Sequence, residues 1–397
     1  MTVSSSGRTR PGAAAAVTAI ALGVDMFLYG SLVPLLPDLP AVAGSPTAAG
    51  LLFAAYAIAM VVATPLVGRW VDRSGPRAPM LAGLVGLAVA TVVFALAVEI
   101  PGTGGLALLM LARVAQGVAA ASSWTAGLAL IAVTHEPDRR GPVMGLAMSA
   151  NGIGILLGPA VSGWLAQAWG PRAPFFLIAA LALADAAARL YWIRHIDHVE
   201  PSTTLRAMAR GPQAGVLIGL TALGAAAIAF IEPLLPLHLS AMGLESGPIG
   251  LVFGGAAIAG AVAAPLAGFL AGKLPPLRVA AIGTLVVLAG FALAGRPTAW
   301  MSIVGVLLVG AGSAVILAPT LVLIGTLAEH VRPAAYGAAY AVYLLAYTGG
   351  LAVAPLLAAG GAAVAGVPAA TLGAAAAAGL LAVVLAVRAQ PTKMQNG

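Results

Sequence analysis

Three carboxylates stand where a chain folding in water would not place them. Asp25, Asp185 and Glu232 lie inside or beside long apolar runs. Asp25 follows roughly twelve apolar residues, about 18 Å of helix at the usual rise. An ionised carboxylate at the middle of a bilayer span costs roughly 2.5–3.5 kcal/mol on insertion scales, and such groups mark ion and substrate paths. A proton or a bound organic cation at Asp25 offsets that cost, and each excludes the other. That competition is the smallest device able to exchange a proton for a cation. Glu232, just before Pro233, is a second candidate of the same kind. Asp185 stands four residues before Arg189, and an i,i+4 ion pair accounts for it without a transport role.

Other residues could share the site. Arg113 and Gln116 are three apart and lie on one helix face. A mid-helix arginine needs a partner or water, so Arg113 is expected to face a central cavity. The plainer alternative makes Asp25 and Arg113 a structural pair that never titrates. Aromatic faces attract organic cations. The aromatics at suitable depth are Tyr29, one turn from Asp25, with Trp124, Phe230, Tyr340, Tyr343 and Tyr347. Singly, each is more often packing than ligand. Asn151 is a further candidate for the cavity wall. The five histidines have no metal-ligand spacing, no nucleotide-binding loop is present and cysteine is absent. No nucleophile–base set stands near an apolar run, so the chain does not read as an enzyme. No cofactor is expected.

These side chains need elements that hold them within lipid. Of 397 residues, 61% are hydrophobic and only 8% charged, against about 25% charged in soluble domains. Twelve apolar runs reach the roughly 20 residues a transmembrane helix needs. They cover roughly 13–36, 47–69, 78–98, 104–132, 142–168, 174–194, 214–238, 247–271, 277–295, 299–327, 334–360 and 366–388. The runs are continuous rather than alternating, which excludes a β-barrel. The expectation is an all-α integral membrane protein. All Lys and Arg except Arg113, Arg172 and Arg296 fall on one side of this arrangement. By the positive-inside bias that side, with both termini, is cytoplasmic and the membrane is the cell membrane. The basic residues are scattered over loops rather than clustered, so the net charge of +7 does not point to nucleic acid.

The chain also repeats itself. "GLLFAAYAIAMVVATPLVG" at 50–68 matches "GLVFGGAAIAGAVAAPLAG" at 250–268 without a gap, and "PLLP" occurs at 34–37 and 233–236. The expected division is an N-terminal six-helix bundle, 1–194, a polar linker, 195–213, and a C-terminal six-helix bundle, 214–397. Two such halves with a site between them at mid-membrane is a transporter layout. A monomer in lipid is expected to suffice.

Three motifs carry a resemblance. "GRWVDRSGPR" at 68–77 fits G-x-x-x-D-R-x-G-R through Gly68, Asp72, Arg73 and Gly75, with Arg77 close by. "RVAQG" at 113–117 fits R-x-x-Q-G. "GILLGPAVSG" at 154–163 fits G-x-x-x-G-P-x-x-G-G through Gly154, Gly158, Pro159 and Gly163, with Ser162 in place of one glycine. Together they resemble the major facilitator superfamily. The resemblance implies two pseudo-symmetric six-helix bundles, a cytoplasmic gate at Gly68–Arg77, and export driven by protons through the third motif. "VDMFLYGSLVPLLP", "AAIAFIEPLLPLH" and "APFFLIAALALADAAARL" look like the vesicular amine transporters and their bacterial drug/proton antiporter relatives. That likeness implies that Asp25 and Glu232 bind cation and proton. The amine transporters' acids in spans ten and eleven and lysine in span two have no counterpart here. Ala314, Leu344 and Tyr56 stand instead, and Met26 replaces an asparagine beside the first acid. The expected activity is proton-coupled antiport of small hydrophobic organic cations, drugs or amines, by alternating access. Export of a neutral metabolite such as a sugar is the rival.

Overall fold

The computed structural model describes residues 11–193, 205–211, 213–330 and 335–388. These residues form helices throughout. They are α1 Pro11–Ser31, α2 Pro46–Ser74, α3 Arg77–Ala97, α4 Gly102–Thr134, α5 Pro137–Trp169 and α6 Ala173–Trp192, then a short α7, Leu205–Met208. The second half holds α8 Ala214–Ile231, α9 Leu235–Ala241, α10 Ser246–Ala271, α11 Pro276–Ala294, α12 Ala299–Glu329 and α13 Tyr336–Arg388. Most of the polar stretch 195–213 lies outside the described residues, as do Arg8, Arg10 and Lys393.

Eleven of these segments are long and apolar enough to cross a membrane. The last, 53 residues long, is two helices joined across Gly366, whose φ of 80° a side chain would resist. Twelve passes result. The protein is a multi-pass membrane protein, with large apolar side chains such as Val62, Leu146, Leu251 and Leu380 left exposed around its sides. Lipid covers such a surface without cost.

Two spans expected to be continuous are broken. The first passes from α1 into a 3-10 turn, Val33–Asp38, and the seventh is interrupted between α8 and α9. Both breaks fall on the repeated PLLP. Proline lacks the N–H for the helical ladder and crowds the preceding turn. Within a bilayer such a break survives only where protein covers it, and Pro34, Leu35, Leu234 and Leu235 are buried.

Helices α1 to α6 pack largely on one another, α1 against α5 and α2 and α3 against α4; α8 and α10 to α13 do the same. The halves meet through α5 with α10 and α2 with α13. Small residues set how closely. A Cβ on Gly50 would fall 2.6 Å from the Pro355 carbonyl oxygen, and one on Gly250 would collide with the carbonyl of Pro159. Gly163 packs on Ser246 and Gly247, while Gly154 and Gly158 let α5 lie against Gly23 and Phe27 of α1. The 154–163 motif is thus a packing seam with one stretch on each neighbour. Gln167 of α5 donates to Glu245 beside α10. These contacts lie toward the face that holds residues 39–45, 170–172 and 242–245, so the halves are closed together on this arginine-poor face, while toward the opposite face Tyr336 and Tyr340 of α13 lie beside Gly141 and Gly145 of α5.

Overpacking such a contact costs about 1–3 kcal/mol. Gly250→Ala is therefore expected to shift the population at least about fivefold toward a state parted on the arginine-poor face. Spin labels at Pro40→Cys and Ala241→Cys, in a chain with no other cysteine, report this as a longer distance by double electron–electron resonance. An unchanged distance distribution would contradict the seam.

Candidate functional site

Asp25 is fully buried on α1. Its carboxylate accepts the Tyr56 hydroxyl at 2.7 Å to each oxygen and Trp124 Nε1 at 2.7 Å. Both donors are neutral. Tyr56 is brought there by Gly117 of the R-x-x-Q-G motif, since a Cβ on Gly117 would strike the Tyr56 carbonyl where α4 crosses α2. Sequence reasoning passed over Tyr56 as a lost lysine. The signal was available: the residue at the lysine's place is a phenol, able to donate to a carboxylate without adding charge.

Arg113 neither pairs with Asp25 nor lines the cavity, contrary to both expectations. Its Nε donates to the Leu52 carbonyl at 3.1 Å and its Nη1 to Gln116 at 3.1 Å, and Gln116 in turn donates to Thr91 at 3.2 Å. The guanidinium carbon lies 4.6 Å from the Tyr56 ring centre, 5.8 Å from Tyr29 and 6.0 Å from Phe53. A carbonyl, an amide and three aromatic faces replace part of the water that a buried arginine would otherwise require, while its Nη2 is buried without a hydrogen-bond partner. Its charge still faces the acids through Tyr29 and Tyr56.

Glu232 sits just past the end of α8, where the proline break turns the chain. Its carboxylate accepts the Tyr29 hydroxyl at 2.8 Å. Tyr29 belongs to α1, so this bond joins the two halves. Tyr29 also packs on Phe53 and Tyr56, with ring centres 5.4 and 5.5 Å apart. The surrounding cavity holds about 440 Å³, within the range that takes a drug-sized molecule. Tyr29, Glu232, Asn151, Tyr343 and Tyr347 lie on its wall, with Pro159, Val33, Phe253 and Leu351 among the apolar lining. Tyr343 and Tyr347 stack with centres 6.0 Å apart. The amide oxygen of Asn151 is buried without a hydrogen-bond partner.

The remaining candidates fall elsewhere. Trp124 and Gln116 are buried in the first half, on Asp25 and Arg113. Phe230 turns away and packs on Phe291 of α11, with ring centres 5.3 Å apart. Tyr340 is buried with its hydroxyl beside Gly145 of α5. An even spacing along one helix did not put all three tyrosines in one space, because α13 meets α5 at Tyr340 and the cavity only further along. At the end of α2, Gly75 adopts φ 73° and turns the chain into α3, as the 68–77 motif requires. Gly68 has open space beside it, Asp72 and Arg73 are exposed, and Arg77 begins α3. Among the described residues Asp72 makes no ion pair.

The family model described as Major Facilitator Superfamily matches residues 18–328 and, again, 217–397. The chain belongs to this superfamily. It is a transporter and not an enzyme. It is similar to the human synaptic vesicular amine transporter, 29% identical over 243 residues, covering 60% of this chain and 46% of the relative. It is also similar to the human MFS-type transporter SLC18B1, 25% identical over 257 residues, covering 64% and 56%. The chain thus matches about half the length of these relatives. Two solved structures share the fold. A bacterial homolog to the human lysosomal transporter Spinster superposes with TM-score 0.70 at 14% identity, covering 96% of this chain and 95% of that one. The human organic anion transporter MFSD10 gives 0.68 at 18%, covering 95% and 100%.

The third intramembrane acid is held in an ion pair. Arg189 donates to Asp185 at 2.9 and 3.1 Å and also to the Val17 carbonyl of α1, with both side chains shut from solvent. Removing one partner leaves a buried charge alone, at a cost of about 3–5 kcal/mol. Asp185→Ala is expected to lower the thermal unfolding midpoint in detergent clearly, and Asp185→Leu with Arg189→Leu to recover most of the loss. A double variant no better than the single one would contradict this assignment.

Proposed function

We propose that this protein is a proton-coupled antiporter that exports hydrophobic organic cations, drugs or amines, by alternating access. One observation carries the reading. Among the described residues, Glu232 is the one charged side chain on the wall of a mostly apolar, tyrosine-lined cavity between the halves, and its hydrogen-bond partner is a neutral phenol. A carboxylate so placed is offset by whichever positive species occupies the site. A hydrophobic cation fills the apolar volume and sets its charge against Glu232, with Tyr29, Tyr343 and Tyr347 offering ring faces. A proton does the same work without filling the volume. Inward proton flow then drives the passenger outward, each pH unit supplying about 1.4 kcal/mol per proton.

Similarity to vesicular amine transporters supports an amine-like passenger. A sugar-like neutral passenger finds one unpartnered amide, Asn151, on a wall that is mostly apolar. The closed arginine-poor face is the external side, with both termini in the cytoplasm and the chain working as a monomer in the cell membrane. Residues 1–194 and 214–397 rock against each other about the site. The turn at Gly68, Asp72, Arg73 and Arg77 is the cytoplasmic gate.

Reconstituted into vesicles with an acidic lumen, the protein is expected to accumulate ethidium or tetraphenylphosphonium and to lose accumulation when the gradient is collapsed. Glu232→Gln and Asp25→Asn are each expected to reduce uptake at least about tenfold. Uptake that ignores the gradient, or survives both substitutions together, would overturn the reading.

A further inference from the structure

We propose that the two carboxylates divide the work: Glu232 is the counter-ion of the passenger, and Asp25 is a proton-only site sealed inside the first six helices. This rests on the exchange reading above and adds which acid meets which cation.

The argument is geometric. Glu232 lies on the cavity wall, whereas Asp25 is absent from it and is 0% exposed. Tyr56 and Trp124 cover Asp25 with two neutral donors, the single Tyr56 hydroxyl being shared between the carboxylate oxygens. The carboxylate and its cover come from α1, α2 and α4, which belong to the same half. Rocking one half against the other moves these helices together and leaves the cover in place. A hydrogen ion passes along hydroxyl groups, while an organic cation cannot pass Tyr56 without unpacking the bundle. In the loaded state a carboxyl O–H of Asp25 faces the Tyr56 hydroxyl. Release breaks that O–H bond, returns H⁺ to water and leaves the carboxylate.

The two sites sense each other through one cluster. Tyr29 binds Glu232 and packs on Tyr56, Tyr56 binds Asp25, and Arg113 lies over both rings. The groups facing Asp25 are Tyr56 from α2 and Trp124 and Arg113 from α4, with Tyr29 one turn along α1. From α5, Ala150, Gly154 and Gly158 approach beside Gly23, Met26 and Phe27, and none of them is titratable. From α6 the Asp185–Arg189 pair lies two turns away at Val17. Glu232 faces Tyr29, Arg113 and Tyr347. The half-spanning bond from Tyr29 to Glu232 is the part that rocking makes and breaks, so the charge at Glu232 reaches Asp25 only through Tyr29, Arg113 and Tyr56.

The test uses the full protein in lipid nanodiscs. A bulky fluorescent carbodiimide, applied under mildly acidic conditions and mapped by mass spectrometry, is expected to modify Glu232 and leave Asp25 unmodified. Trp124→Phe and Tyr56→Ala, which thin the cover, are expected to bring Asp25 into reaction. Equilibrium dialysis with labelled tetraphenylphosphonium is expected to fall at least about thirtyfold in Glu232→Gln. Asp25→Asn is expected to keep binding within about threefold while flattening its pH dependence. Modification of Asp25 in the unsubstituted protein, or equal loss of binding in Asp25→Asn and Glu232→Gln, would overturn the division. Failure of the unsubstituted protein to bind the probe would instead count against the cation reading, and the carbodiimide pattern would still decide whether Asp25 is sealed.

Discussion

A negative charge held in a low-dielectric interior by neutral donors is the constraint on which the rest depends. Coulomb energies at a few ångströms grow severalfold when water is replaced by protein. Asp25 and Glu232 are given phenol and indole hydrogens rather than a guanidinium at contact. Arg113 is near enough to matter, yet an aromatic layer separates it from both acids. A direct ion pair would lock the charge. The arrangement here leaves it to be completed by something that comes and goes. The contrast is inside the same molecule: Asp185 does have its arginine at contact, and that pair pins α6 to α1.

Packing decides where such a charge can be reached. Glycines at 50, 163 and 250 bring the halves within backbone contact on one face and close that end. The cavity lies beyond this seam, with Pro159 and Tyr29 on its near wall. The proline breaks after α1 and α8 serve the same end. The second of them ends a helix at Glu232 and aims the carboxylate between the halves rather than along a helix flank. Helices interrupted at mid-membrane are how transporters commonly build sites in lipid.

Much of this was legible in the chain. Composition and run length gave the helices, and the match of 50–68 with 250–268 gave the twofold plan, because both depend on patterns summed over many residues. The PLLP repeat was visible but was read as a marker of symmetry. Its meaning as a pair of breaks follows from proline's missing N–H, and a long hydrophobic run hides it. Side-chain direction was the least legible. Phe230 and Tyr340 have the depth of cavity residues and pack elsewhere, and Arg113 found a carbonyl and aromatic faces in place of water. Tyr56 escaped notice because a phenol in an apolar run carries no charge to flag it. Only the crossing of α2 and α4 at Gly117 brings it to Asp25.

The central claim is that proton and passenger alternate in completing the buried negative charge of the linked Asp25 and Glu232 sites. Proton release on cation binding tests it most directly. Tetraphenylphosphonium is titrated into the purified protein in weakly buffered solution at several pH values near neutrality, with a pH indicator recording protons. The account predicts about one proton released per cation bound over some part of that range, and none in the protein carrying Asp25→Asn with Glu232→Gln. Saturable binding to the unsubstituted protein that releases no proton at any pH would contradict it.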